Sequence, residues 1–271
     1  MGETVRMGDR PTPVPLPNSE QFFLDSDQGS NYIVDGNALF LTATEVAWRR
    51  AASSHFAGGG LIVAIGYPVA GKLYDAKRRS LDLTPPTESP IPGAGGADAF
   101  LGFIEKSVRP AIKARFPRAT FSREALYGHS YGGLFALHAL FTRPHAFDCY
   151  IASSPSIWWN SRCILRSAQV FLDNAKPLDG KLPSLVVSWG SWEQNPPQWN
   201  DEPLDHYEGR KQIASDLRMG DNALDLVKML YGCNRLHKMQ VKEYEGEEHT
   251  SVMACSISRG LTVFFEDWPL H

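Results

Sequence analysis

The sequence predicts an α/β fold: a single domain built on a mainly parallel sheet with helices on both faces. Three observations predict it. Short apolar runs, such as Leu61-Ile62-Val63-Ala64-Ile65 and Leu185-Val186-Val187, alternate with stretches of helical periodicity. Strands without a polar face belong in a sheet covered on both sides, which is the habit of parallel sheets. Gly128-His129-Ser130-Tyr131-Gly132 joins one such run, Ala125-Leu126-Tyr127, directly to the apolar, helix-prone stretch from Leu134 to Phe141. Finally, 271 residues with 43% hydrophobic and 21% charged side chains suffice for one large core, and no linker divides them.

The elements follow in order. Residues 1–18 are polar and Pro-rich and read as a flexible leader, the domain occupying 19–271. Phe22-Phe23-Leu24 is a candidate edge strand, and Tyr32-Ile33-Val34 a buried one that ends in the turn signal Asp35-Gly36-Asn37. Thr42 to Ser54 reads as a helix capped by Thr42 or Thr44. Leu61 to Ile65 is the next strand and closes on Gly66-Tyr67-Pro68. Lys72 to Leu83 is polar and basic, and Thr84 to Gly96 a Pro/Gly loop. Asp98 to Arg115 has helical spacing with Pro110 inside, so that helix kinks or splits. Further strands are expected at Phe147 to Ala152, Leu185 to Trp189 and Met239 to Tyr244. Helices are expected at Arg162 to Asp173, Gly209 to Met219, Asn222 to Leu230 and Ser251 to Phe265, with an irregular Trp-, Pro- and acid-rich segment from Glu193 to Asp205.

Composition narrows the function. A formal net charge of -3 advertises no nucleic-acid or anionic-membrane surface. No apolar run approaches the ~20 residues that span a bilayer. The start has no signal-peptide core, and the four cysteines are scattered without CxxC spacing, as reduced core thiols would be. The expectation is a cytoplasmic protein, monomeric or weakly homo-oligomeric, that binds neither nucleic acid nor membrane and needs no cofactor or metal.

Chemistry enters at Ser130. A serine at the apex of a strand-turn-helix stands exposed at a helix N-terminus, where backbone N–H groups favour a developing oxyanion; the flanking glycines let strand and helix approach closely. Such a nucleophile needs a base and a group to orient it, which α/β-hydrolases supply in the chain order Ser, acid, His. Of eight histidines, His249 has the favoured position, after the strand Met239 to Tyr244 and before the last helix. His206 and His237 are weaker candidates. For the acid, Glu193 lies just past the strand Leu185 to Trp189, with Asp201 and then Glu202 on the same loop its rivals; a Ser–His pair without a carboxylate is the remaining possibility. The oxyanion donors are expected to be the N–H groups of Tyr131, next after the nucleophile, and Tyr67.

A family resemblance joins these segments. Tyr32-Ile33-Val34-Asp35-Gly36-Asn37, Ile65-Gly66-Tyr67-Pro68, Arg79-x-x-Asp82-x-Thr84-Pro85, Gly128-His129-Ser130-Tyr131-Gly132-Gly133, Ser154-Pro155-Ser156-x-Trp158-Trp159 and Glu248-His249 together resemble the esterase branch of α/β-hydrolases that contains the ferric-siderophore esterases. These include bacterial enterobactin trilactone esterases and fungal fusarinine-type siderophore esterases. The resemblance implies an α/β-hydrolase fold, ester cleavage of a siderophore, Ser130 as nucleophile, His249 as base and an acid in the Glu193 loop. It also implies that Arg79 faces substrate. Arg78 and Arg79, with Trp158 and Trp159, are the candidate substrate-binding residues; solvated charge and core packing are the plainer readings of the same residues. One departure is that the strands usual before the Asp-Gly-Asn strand are truncated, with only Phe22 to Asp25 to supply one.

The preferred reading is therefore hydrolysis of a siderophore ester inside the cell. A small-acyl esterase such as a formylglutathione hydrolase, or a feruloyl-type esterase, is the alternative. Acidic residues Glu193, Asp201, Glu202, Asp205, Glu247 and Glu248 crowd the loops assigned to the site, opposed by Arg78 and Arg79. That balance favours a neutral or cationic ligand, hence a fusarinine-type hydroxamate over an anionic catecholate.

Overall fold

The computed structural model describes residues 2–6, 29–52, 59–117, 119, 121–174, 178 and 180–266. Among the described residues seven strands form one sheet: β1 (Gly2–Arg6), β2 (Gly29–Val34), β3 (Leu61–Gly66), β4 (Arg123–His129), β5 (Cys149–Ser153), β6 (Ser184–Gly190) and β7 (Met239–Tyr244). They lie in the order β1-β3-β2-β4-β5-β6-β7, and every neighbouring pair is parallel. The all-parallel order follows from the connections, because β2 to β7 are joined in sequence by segments that contain helices.

Period-two alternation sends successive strand residues to opposite faces. Tyr32, Val34, Leu126, Tyr150 and Val187 pack with α2 (Ala76–Leu83), α3 (Ala97–Phe103), α5 (Tyr131–Thr142), α6 (Trp159–Asp173) and α8 (Met219–Leu230). Ile33, Ile62, Tyr127, Ile151 and Val186 pack with α1 (Gly36–Ala51) and α9 (Val252–Glu266). The sheet is thus covered on both faces, as the apolar runs require. β7, at one edge, is partly or fully exposed along its whole length.

Several boundaries differ from the sequence expectation, each for a local reason. The turn signal Asp35-Gly36-Asn37 begins α1 outright: Asp35 is left-handed at φ 54° and turns the chain straight from β2 into the helix. No threonine cap at Thr42 or Thr44 is needed. The polar stretch 72–83 contains α2, whose N-terminus is capped by the Asp75 carboxylate accepting from Arg78 N–H at 3.0 Å. Before Pro110 the helical stretch passes through a π turn, Ile104–Val108, and resumes as α4 (Arg109–Arg115). Proline offers no N–H and fits early in a new helical segment, so the split falls there. Within the expected leader, residues 2–6 instead form the edge strand β1 on β3. The expected strand at Phe22 to Leu24 lies outside the described residues.

Candidate active site

β4 runs into α5 with Ser130 alone between them, at φ 59° and ψ −117°. A side chain other than glycine's is strained in that region, at a cost of order 1–3 kcal/mol. Surrounding structure imposes it. A Cβ at Gly128 would lie 2.0 Å from the Gly132 carbonyl oxygen, and one at Gly133 would lie 2.7 Å from the Ser153 carbonyl oxygen. Ser130 N–H donates to Ser153 C=O at 3.0 Å, and Ser130 C=O accepts from Ser156 N–H at 3.1 Å. The serine is therefore stitched on both sides to the end of β5. Its hydroxyl lies 3.3 Å from the Ser156 hydroxyl. Among the described residues it makes no hydrogen bond with His249, a contact that free hydrolases often close only on substrate.

His249 follows β7 on a polar loop. Its Nδ1 is 2.5 Å from Glu193 Oε2, and the two side chains are 44% and 1% exposed respectively. Glu193 closes a one-turn 3₁₀ helix (Ser191–Glu193) at the end of β6. Its other oxygen accepts from Gly190 N–H at 2.7 Å and from the Ser154 hydroxyl at 2.6 Å. A buried carboxylate with three partners is satisfied, and it fixes which imidazole nitrogen faces inward. Asp201, its rival from sequence, sits exposed on the following loop at φ 61°.

The comparisons with known proteins point the same way. Residues 25–248 match the family model described as "Putative esterase". The triacetylfusarinine C esterase of Aspergillus fumigatus is 67% identical over 98% of this chain and 99% of its own. The chain belongs to this esterase family. A siderophore enterobactin esterase of Emericella nidulans is 47% identical, covering 85% of this chain and 80% of the relative. Among solved structures, siderophore hydrolase EstB from Aspergillus nidulans superposes with a TM-score of 0.88 at 57% identity, covering 92% of this chain and 88% of that one. The fold is accordingly that of the α/β-hydrolases.

Within this esterase the sequence reasoning missed a layer of support under the site. His129, just before Ser130 at the sharp turn between β4 and α5 (the nucleophile elbow), is buried with its ring centroid 4.6 Å from that of His249. Its Nδ1 is 3.0 Å from the Ser153 hydroxyl. Burial holds its pKa well below the ordinary value, and the nearby His249 and Arg79 push the same way. Three serines, the last of β5 and two just beyond it, thus touch three different site residues: Ser153 meets His129, Ser154 meets Glu193, and Ser156 meets Ser130. The signal was present in Ser153-Ser154-Pro155-Ser156, a polar cluster closing an apolar strand. Its partners are far away in sequence.

Other expectations in this esterase need correction. The Tyr67 N–H is not available for an oxyanion, because it donates to Asn37 Oδ1 at 2.7 Å while Asn37 Nδ2 donates back to Tyr67 C=O at 3.0 Å. Gly66 permits this approach, since a Cβ there would lie 2.5 Å from Asn37 Oδ1. Tyr131 N–H heads α5, where first-turn donors have no acceptor within the helix. Arg79 donates to both oxygens of buried Asp35, the nearest pair at 2.9 Å, and lies over the Tyr131 ring at 5.3 Å. Arg78 pairs with Asp82 one turn along α2. Trp159 is buried in the core, whereas Trp158 is half-buried with its ring 6.1 Å from that of Tyr131. Trp192 and Trp199, 39% and 52% exposed, line a cavity with His249 instead. The acidic rim is also thinner than expected, since Glu193 turns inward to His249 and Glu202 pairs with Arg210.

Proposed function

We propose that this protein is a serine esterase cleaving the ester bonds of a siderophore, of fusarinine type, with Ser130, His249 and Glu193 as its catalytic groups. The observation that carries the chemistry is the buried Glu193 carboxylate held on His249 Nδ1 at 2.5 Å, one loop away from a strained serine at a helix N-terminus. The substrate class is supported by the 67% identical triacetylfusarinine C esterase.

With Glu193 on Nδ1, the opposite nitrogen of His249 is the one that takes the proton of the Ser130 hydroxyl as its oxygen attacks the ester carbonyl. Negative charge develops on the carbonyl oxygen, and the Tyr131 N–H with the positive end of α5 stabilises it. His249 then returns the proton to the departing alcohol. Water, activated by the same imidazole, releases the acyl group from Ser130. Cutting the chelator's ester bonds lowers its denticity and loosens ferric iron. Asp35 fixes Arg79 beside Tyr131. The remaining exposed carboxylates, Asp201 and Asp205, favour a neutral or cationic substrate over an anionic one. All four cysteines are free, which suits a reducing compartment, and we place the protein in the cytoplasm. Among the described residues no helix is long and apolar enough to cross a membrane.

The test is kcat/KM on fusarinine-type and enterobactin-type esters, with products followed by mass spectrometry. Faster cleavage of the fusarinine-type ester is expected. Faster cleavage of the catecholate ester removes the substrate assignment, and no turnover of either removes the siderophore reading.

A further inference from the structure

Beside His249 lies a cavity of about 250 Å³. Its walls are the one-turn 3₁₀ helix after β6, the loop that follows it, one face of α7 (Leu204–Leu217) and Glu248-His249 on the loop after β7. Trp192, Pro196, Pro197, Trp199, Ile213 and Leu217 make it largely apolar. Arg210 and Glu248 border it and both are already engaged: the Glu248 carboxylate accepts from Thr250 N–H at 2.9 Å and from Ser251 N–H at 2.6 Å, and the Arg210 guanidinium has partners of its own. The guanidinium donates to both oxygens of Glu202 at 2.7 Å and to the Pro197 carbonyl at 2.9 Å. The same group lies 3.6 Å from the centre of the Trp199 ring and so fixes that ring as a wall. The site is built, and it offers a ligand apolar surface with no uncompensated positive charge.

We propose that this cavity is the subsite for the alcohol half of the ester, and that it takes an uncharged apolar branch. The inference rests on the esterase reading above. His249 must hand its proton to the departing alkoxide, so the alcohol half leaves along the imidazole, while the acyl half stays bonded to Ser130. His249 and Glu193 border the cavity; Ser130 and Tyr131 do not. The group next to the leaving oxygen therefore meets Trp199 and Ile213. Its size fits that role as well. Pockets that hold a whole drug-sized ligand run to roughly 300–1,000 Å³, so this one accepts a single branch of a large chelator, with the remainder outside.

The experiment uses two ester series on the intact protein: acetates of straight-chain alcohols from methyl to octyl, and methyl esters of acids from acetate to octanoate. In the wild type, kcat/KM is expected to climb with alcohol length more steeply than with acyl length. Trp199→Ala and Ile213→Gln should each flatten the alcohol series, lowering the octyl-to-methyl ratio about tenfold, as loss of a few buried methylenes would. The acyl series should keep its slope. Both side chains are more than half exposed, so neither change endangers folding, and Trp48→Ala on distant α1 serves as the control. An unchanged alcohol series in both variants overturns the proposal, as does flattening of the acyl series in its place. Absence of turnover on every ester by the wild type fails the esterase reading itself and takes this inference with it.

Discussion

Ser130 and His249 are held in place by different means. Backbone sterics fix Ser130: close-packed glycines, a strained φ, and two main-chain hydrogen bonds to the end of β5. Side chains fix His249: the Glu193 carboxylate on one nitrogen and the His129 ring against its face, on a loop after a half-exposed edge strand. Backbone sterics are close to all-or-none, because a Cβ either fits or forces the chain to move. Side-chain contacts are graded, each with its own modest contribution. The nucleophile region should therefore separate chemistry from folding cleanly, while the histidine region should respond in steps.

The largest effect is expected at Ser130. Ser130→Ala removes the proposed nucleophilic oxygen and one 3.3 Å hydroxyl contact with Ser156. By analogy with serine proteases, kcat should fall on the order of 10⁶-fold, with thermal stability kept. Burst and steady-state kinetics on a small ester measure it, and substantial turnover by the variant would sink the nucleophile assignment. Gly128→Ala completes the comparison on the folding side. Its Cβ would meet main chain at 2.0 Å, so loss of folded protein is expected.

Second in size is Glu193→Gln. An amide keeps the shape but loses the charge and disturbs the tautomer, and a loss of ~10⁴ in kcat follows by the same analogy. Asp201→Asn, on an exposed loop, should stay close to wild type. If Asp201→Asn were the crippled protein and Glu193→Gln the active one, the acid is misassigned.

That ranking mirrors what could be read from sequence. The elbow was legible because its determinants lie within six residues, Gly128 to Gly133, flanked by a strand and a helix. The sheet was legible because strands buried on both faces are apolar throughout. The site's supporting contacts were not. His129 reaches His249 across 120 residues and Ser154 reaches Glu193 across 39, and neither spacing leaves a local pattern. Tyr67 misled for a related reason: its N–H was the right type in the right place, but Asn37, 30 residues earlier, had already engaged it. Trp158 and Trp159 look alike in sequence, yet only the local turn decides which one is buried.

Ser154→Ala probes the graded side. It deletes the 2.6 Å hydroxyl bond to Glu193 and leaves the Gly190 N–H in place. Losing one hydrogen bond to a charged acceptor corresponds to roughly 1.5–3 kcal/mol, so kcat should drop about 10- to 150-fold, well short of the ~10⁴ expected for Glu193→Gln. A loss equal to that of Glu193→Gln would mean the carboxylate depends wholly on Ser154 and is not held in steps.

The smallest effect is in pH and stability. His129 sits where the two regions meet, since it ends β4 and its ring lies on His249. Burial chiefly, then His249 and Arg79, hold its pKa well below the ordinary value. His138, on the far side of the elbow helix, is also lowered by burial, with Asp98 opposing. In both cases the unfolded chain takes up a proton near pH 6.5 that the native state refuses until lower pH. Protons bound in the unfolded state then exceed those in the native state, so stability rises with pH across that window and falls on acidification. The slope is at most about 1.4 kcal/mol per pH unit for each group. Buried Asp35, whose pKa burial raises against the pull of Arg79, works in the opposite sense, so the readout is the difference between variants and not the total slope. Denaturant midpoints from pH 7 to 5 should fall for the wild type and fall less steeply for His129→Gln and His138→Gln. His129→Gln should in addition lower kcat, because it also takes the ring from beneath His249. Equal slopes in all three proteins would show that neither imidazole is kept neutral by the fold. A flatter slope without any change in kcat would mean that His129 supports the elbow alone and that the two regions are not joined through it.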